Sequence, residues 1–527
     1  MITDNFIGNN RSSEGNKLFK TFNPVSNEMN PWEFVEATEA EVERAMVLAS
    51  DAFLSYSKLD GKTKATFLRT IAKEIENLGD LLLNTYMAES GLPRGRAEGE
   101  RTRTLFQLHS FADMLEEGSW VEATIDTALP LRQPVPKVDI RKCLMPIGPI
   151  VVFGSSNFPL AYSTAGGDTA SALAAGCPVV VKSHPMHAGT GALVASAVIK
   201  SIELLGLPNG VFSNLNSSSI EIGKQLAIHP GVKGIGFTGS VKGGRTLYNL
   251  AAQRKEPIPV FAEMGSINPV VLFPEELKRQ GDSWALTYAD SMLLGVGQFC
   301  TNPGLFIAVK GKELDNFSQL LKKTLETNKA GTMLHPQIHA NFTKGKEFML
   351  QNVGVVPLVN ISEGLLPQQA GQALLAVSGE TFLKNPLLHH EVFGPFSIIV
   401  ECNDNDQMLE VLANLEGQLT GTIIATQQEL QNHMNIVQVL QQKVGRLIFN
   451  GVPTGVEVCP SMMHGGPYPA SSDARFTAVG IHSVKRWVRP VSYQNWPDKL
   501  LPLAIQNDNS LSIERTVNNE KTRNSIL

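Results

Sequence analysis

The sequence predicts an α/β protein: a parallel-sheet unit, a second α/β block and a small β-hairpin element. Three observations predict it. From about residue 148, short β-branched runs alternate with helical stretches. Segments 131–144 and 483–493 break that rhythm with alternating apolar and polar residues among prolines. At 527 residues the chain also exceeds what one hydrophobic core organises.

The first 100 residues read as helices. Thr38-Glu39-Ala40-Glu41 has capping-box form, with Val42, Ala45, Met46 and Ala49 behind it at helical spacing. A second helix carries Phe67, Leu68, Ile71 and Ile75 and stops near Gly79. A third spans 81–90 and ends at Gly91-Leu92-Pro93, and a fourth covers 98–115. Strands are then expected at 150–153, 178–181, 231–237 and 258–262, with helices at 166–175, 188–205 and 242–253 between them. Such alternation predicts a parallel sheet covered on both faces, with ligands at the carboxyl ends of its strands. The second block has strands at 304–309, 396–401 and 419–425 and helices at 284–294 and 406–412. Segments 131–144 and 483–493 read as protruding extended edges that invite another subunit. The last twenty residues, polar throughout, read as a loosely held tail.

Composition excludes several classes. The chain is 43% hydrophobic and 18% charged, with a formal net charge of −5. That charge gives no general attraction to nucleic acid or to anionic membranes. No apolar run approaches the roughly 18 residues that span a bilayer, and residues 1–10 lack the form of a secretory signal. Five cysteines without a CxxC pair argue against a disulfide framework, and a reducing, cytoplasmic setting follows.

Chemistry-bearing residues gather at strand ends and turns. Gly297-Gln298-Phe299-Cys300 puts a thiol just after a small-residue stretch that admits close approach. Asn157, in Gly154-Ser155-Ser156-Asn157-Phe158-Pro159, offers an amide donor directly after a strand; taken alone it reads first as a turn asparagine bonding its own backbone. Lys182 and His184, in Lys182-Ser183-His184-Pro185, stand where a nucleotide-binding sheet presents an acid to a ribose. With no acid nearby in sequence, that setting leans toward a 2′-phosphate. Gly234 to Gly239 matches GxGxxG, but its first two glycines fall inside a strand. Its useful part is the Thr238-Gly239-Ser240 corner, which opens a helix able to hold a phosphate. Glu263 and Glu391 are candidate bases, provided burial raises the pKa. His389-His390-Glu391 does not read as a metal site, because adjacent residues seldom converge on one ion.

Five motifs in this order resemble the aldehyde dehydrogenase superfamily over nearly the whole chain. They are Ser156-Asn157-Phe158-Pro159, Phe237-Thr238-Gly239-Ser240, Glu263-Met264-Gly265, the Cys300 motif and Glu391-Val392-Phe393-Gly394-Pro395. Lys182-Ser183-His184-Pro185 and Gly465-Gly466-Pro467-Tyr468-Pro469 are most similar to its α-ketoglutarate semialdehyde (2,5-dioxopentanoate) branch. NADP-preferring fatty aldehyde dehydrogenases share that style. The resemblance implies a Rossmann-like cofactor domain (1–126 and 148–262) and a catalytic domain (263–480). It also implies an oligomerisation element (127–147 and 481–503) serving a homodimer or homotetramer, with 504–527 left as tail. Cys300 would be the nucleophile, Asn157 the oxyanion donor and Glu263 the base that activates water. NADP or NAD, with a lean to NADP, would contact Phe153, Lys182, His184, Thr238, Gly239, Ser240, Glu391 and Phe393.

A dicarboxylate semialdehyde needs a cation in its tunnel. Arg94, Arg96, Arg101 and Arg103 are candidates, and Arg103 and Gln107 share a helix face. The alternative for this run is a solvated basic face paired with Glu98 and Glu100. For the whole chain, the alternatives are a fatty aldehyde dehydrogenase and a nucleotide-binding protein without turnover. Transfer to coenzyme A in place of water is opposed by Glu263.

Overall fold

The alternation after residue 148 closes into a parallel sheet. In the computed structural model, which describes residues 3–526, five parallel strands run in the order Val260–Glu263, Gly234–Thr238, Ile150–Phe153, Val179–Lys182 and Phe212–Leu215. Their β-branched side chains divide by parity, as a period of two requires. Ile150, Val152, Val179 and Val181 pack with the helices Gly61–Asn77, Gly167–Ala175 and Ala188–Leu204. Val151, Val180 and Ile235 face the helix Glu39–Tyr56 on the other side. With both faces covered, these strands read as unbroken apolar runs.

The helical expectation holds from Glu39 onward. Thr38 Oγ1 accepts from Glu41 N at 3.2 Å and Glu41 Oε2 accepts from Thr38 N at 2.8 Å, so the capping box forms. Gly91, at φ 67°, ends the helix Gly79–Ser90, and the fourth helix spans Arg94–Glu117. Residues before Glu39 correct the all-helical reading, since they form short strands from Asn5–Ile7 to Phe34–Val35. Asn5–Ile7 and Asn10–Ser12 extend the parallel sheet as an antiparallel hairpin. Pieces of two or three residues are too short for any period to show.

A second seven-stranded sheet runs Val356–Asn360, Ala373–Ser378, Phe396–Cys402, Leu305–Val309, Pro269–Leu272, Gln418–Ile424 and Val444–Phe449. A third sheet has the order Val488–Gln494, Ile140–Pro146, Thr124–Asp126, Arg515–Val517, Glu520–Thr522. It joins the two segments expected as separate edges, which pair with each other within the chain, while residues 483–487 turn 3₁₀-helical and bury Trp487. The loosely held tail is also corrected. Arg515–Val517 lies parallel to Thr124–Asp126, and Arg515 is buried. Its guanidinium donates to the carbonyls of Gln506, Asn507 and Asn524. No helix among the described residues is long and apolar enough to cross a membrane.

Candidate active site

The thiol is positioned by a strained turn. The helix Pro274–Leu293 ends in a short 3₁₀ segment, Leu294–Gly297, where Val296 sits at φ 61°. A β-branched residue there is a backbone outlier of the kind that clusters at functional sites. Gly297, at φ 65°, tolerates no side chain, because a Cβ would lie 2.3 Å from the Gly394 carbonyl oxygen. That contact locks the Cys300 turn onto the Glu391–Pro395 motif. Asn268 Nδ2 then donates to the carbonyls of Cys300 and Asn302, both at 2.9 Å, and fixes the turn from below.

Three reactive groups converge. Cys300 Sγ stands 3.6 Å from His464 Nε2, and Glu263 Oε1 stands 3.2 Å from the same nitrogen. Glu263 ends its strand, and residues 470–472 run beside that strand, with Met264 N donating to Ala470 O at 2.8 Å. This pairing brings His464 to the thiol. Burial first, then the Glu263 and Glu391 carboxylates, hold the Cys300 pKa well above its ordinary value. Burial also pushes Glu263 up, but His464 and Cys300 beside it outweigh that push and leave it below the usual carboxylate value. The expected upward shift of Glu263 is thus reversed by a neighbour that sequence reasoning missed. The only available signal was a histidine directly before Gly465-Gly466.

Asn157 does not bond its own turn. Its Nδ2 donates to Gln298 O at 3.0 Å, which ties the loop after Ile150–Phe153 to the Cys300 segment and leaves a second N–H. Buried Glu100 holds that loop, its Oε1 accepting from Leu160 N at 2.8 Å and Ala161 N at 3.0 Å. The donor atoms of Glu263, Cys300 and His464 lie within 4.8 Å of one another, a spacing shared by metal sites and proton relays. His389 and His390 instead face separate carbonyls, of Phe382 and Leu387.

The remaining sequence candidates fall into two groups. Phe153, Lys182 and Thr238 end neighbouring parallel strands, with Gly239 and Ser240 following. Phe153 packs edge-on against Phe237, and Lys182 Nζ donates to Ser217 O at 2.6 Å. His184 stacks on His187 at 5.0 Å; burial first, then His187, Lys182 and His335, keep it neutral at neutral pH. Ser240 caps the helix Val241–Ala252 through Gly243 N. Glu391 reaches back past Gly265, where a Cβ would lie 2.5 Å from its Oε2. Burial of the carboxylate against protein raises the Glu391 pKa to about 7, although the residue as a whole is exposed. Phe393 is half-buried two residues further on.

The arginine run splits between two environments. Arg94 pairs with Asp80 and Glu98 in solvent. Arg96 and Arg103 turn inward instead, lying over Phe158 at 4.5 and 5.9 Å. Arg103 Nη2 also donates to Tyr162 Oη at 3.3 Å, and its charge is felt at Cys300. Gln107 is buried one turn on, beside Gly167. Arg446, which sequence reasoning missed, also lies within electrostatic reach of Cys300.

A carboxylate and an imidazole at a thiol, set where parallel strands end, define an enzyme that carries an acyl group on sulfur. A family model described as the aldehyde dehydrogenase family matches residues 10–347. The chain belongs to the aldehyde dehydrogenase family and is an NAD(P)-dependent oxidoreductase. It is 48% identical to alpha-ketoglutaric semialdehyde dehydrogenase 2 of Azospirillum brasilense, over 92% of each chain. It is 42% identical to alpha-ketoglutaric semialdehyde dehydrogenase of Acinetobacter baylyi, over 98% of each. In fold it is similar to a betaine aldehyde dehydrogenase of Staphylococcus aureus, with TM-score 0.80 and 17% identity over 94% of this chain and 95% of that one.

The crevice fits a dinucleotide. Ser155 Oγ and Ser183 Oγ, just beyond two adjacent strand ends, are buried with no hydrogen-bond partner among the described residues. Gly239 and Ser240 are exposed at a helix start whose first N–H groups have no intrahelical acceptor. Ile220 and Val241, both exposed, begin the helices that follow two of these strands.

Proposed function

We propose that the chain oxidises α-ketoglutaric semialdehyde (2,5-dioxopentanoate) to 2-oxoglutarate. The convergence of Cys300, His464 and Glu263 carries the chemistry. Sγ attacks the aldehyde carbon, and the thiol proton passes to His464 Nε2, where the Glu263 carboxylate beside that same nitrogen stabilises the imidazolium. The second N–H of Asn157 and the backbone N–H of Cys300 stabilise the oxyanion. Bound NAD(P) supplies the hydride acceptor; Lys182, Ser240 and Glu391 would hold it, with Phe153, His184, Thr238, Gly239 and Phe393 lining its crevice. Hydride loss leaves a thioester on Cys300. Glu263, kept ionised by His464, then removes a proton from the water that hydrolyses it.

Arg103 supports the ketoacid aldehyde over an alkyl one. A guanidinium within reach of the thiol suits a substrate carboxylate, whereas an alkyl chain would leave it uncompensated. We assign the 140–146 and 488–494 strands to subunit contact in a homodimer or homotetramer, because among the described residues no strand lies on the outer edge of Val488–Gln494. NAD(P)H formation with α-ketoglutaric semialdehyde and with an uncharged aldehyde of similar length tests the reading. A strong preference for the uncharged aldehyde, or equal turnover by Cys300→Ala, would overturn it.

A further inference from the structure

Glu36 stands 146 positions before Lys182 in sequence, yet the fold brings its carboxylate to the carboxyl ends of the central strands. It follows the short strand Phe34–Val35, is 8% exposed, and its Oε1 accepts from Ser218 N at 2.8 Å and from Ser218 Oγ. Ser218 lies just past the strand Phe212–Leu215, which pairs in parallel with the strand ending at Lys182. Ser217, its neighbour, is the residue whose carbonyl takes the Lys182 ammonium. Resting on the dehydrogenase reading above, we propose that Glu36 selects NAD over NADP by holding a carboxylate at the adenosine-ribose end of the crevice.

The charges at this end are sparse, and the Glu36 carboxylate offsets the one ammonium, that of Lys182, that a phosphate would seek. An acid at such a strand end accepts from a ribose 2′-hydroxyl and repels a 2′-phosphate. Lys182 already spends a donor on Ser217 O, and burial lowers its pKa to about 8. His184 is neutral, as described, and the exposed Ser218 and Ser219 carry no charge. The acid that the Lys182–Pro185 motif lacks is therefore supplied from the N-terminal segment. This reverses the lean toward NADP that the motif alone suggests.

Fluorescence titration of the full-length protein with NADH and with NADPH tests this without turnover, alongside kcat/KM for NAD and NADP. The wild type should favour the non-phosphorylated form by about 10- to 100-fold. Glu36→Gln, which keeps an acceptor for Ser218, should cut that ratio about tenfold by improving NADPH binding, with NADH within about twofold. Ser218→Ala keeps the carboxylate and should leave the ratio standing. A wild type that binds NADPH equally well would overturn the proposal. So would a Glu36→Gln variant with an unchanged ratio, or a Ser218→Ala variant that erodes it as much as Glu36→Gln does. Discrimination between NADH and NADPH without oxidation of any aldehyde would defeat the catalytic reading while upholding Glu36; absence of binding by either cofactor would defeat both.

Discussion

Cys300 Sγ and His464 Nε2, separated by 164 positions in sequence, stand 3.6 Å apart, and the same nitrogen is 3.2 Å from Glu263 Oε1. A single Nε2 thus faces a thiol on one side and a carboxylate on the other. Because burial and two carboxylates raise the thiol pKa, Cys300 is protonated at neutral pH and needs that acceptor. His464→Asn should lower kcat/KM by about 10²- to 10⁴-fold, the usual weight of a general base.

The raised thiol pKa has a pH signature. A thiol shifted upward holds less thiolate than an ordinary one, of pKa about 8.5, at every pH below that value. Inactivation by iodoacetamide should therefore keep climbing through about pH 9. A plateau near about pH 7 would instead mean a thiolate–imidazolium pair in the resting enzyme.

In the proposed mechanism Glu263 acts as a base only after the hydride has left. Glu263→Gln should give a burst of NAD(P)H near one equivalent per site, followed by slow turnover as the thioester accumulates. Rapid-mixing absorbance at the reduced-cofactor band reads this directly. Loss of the burst together with turnover would move Glu263 to the attack step.

Arg103, which lies over Phe158 and Tyr162, is the cation we assign to the substrate carboxylate. Arg103→Ala should raise KM for α-ketoglutaric semialdehyde by about tenfold or more, since a charged hydrogen bond contributes about 1.5–3 kcal/mol. KM for an uncharged aldehyde should stay within about twofold. Equal increases for both would assign Arg103 to packing alone.

Arg515 closes the third sheet by donating to three carbonyls while buried. Arg515→Ala leaves those acceptors without a donor and should cost about 2–4 kcal/mol. Denaturant unfolding followed by circular dichroism measures it. An unchanged midpoint would return residues 515–526 to a loosely held tail.

Legibility in the sequence followed the range of the interactions. The capping box at Thr38, the Gly91 stop and the apolar strands 150–153 and 178–181 were readable because neighbours a few positions apart decide them. The strands 5–7, 515–517 and 520–522 were not, because two or three residues carry no period and pair only with distant partners. The arginine run shows the same limit. Arg94 and Arg103 lie on one helix, yet only packing against Phe158 and Tyr162 sets the second apart.

By itself, the sequence determined the α/β class and placed Cys300, Asn157 and Glu263 at turns and strand ends, since local pattern and motif order carry that information. Only the tertiary structure decided what surrounds them. His464 reaches the thiol because residues 470–472 lie beside the Glu263 strand, and Glu36 reaches Ser218 because the N-terminal strands cap the sheet edge. Those contacts set the charge at each site, and charge depends on separation through space, whatever the separation along the chain.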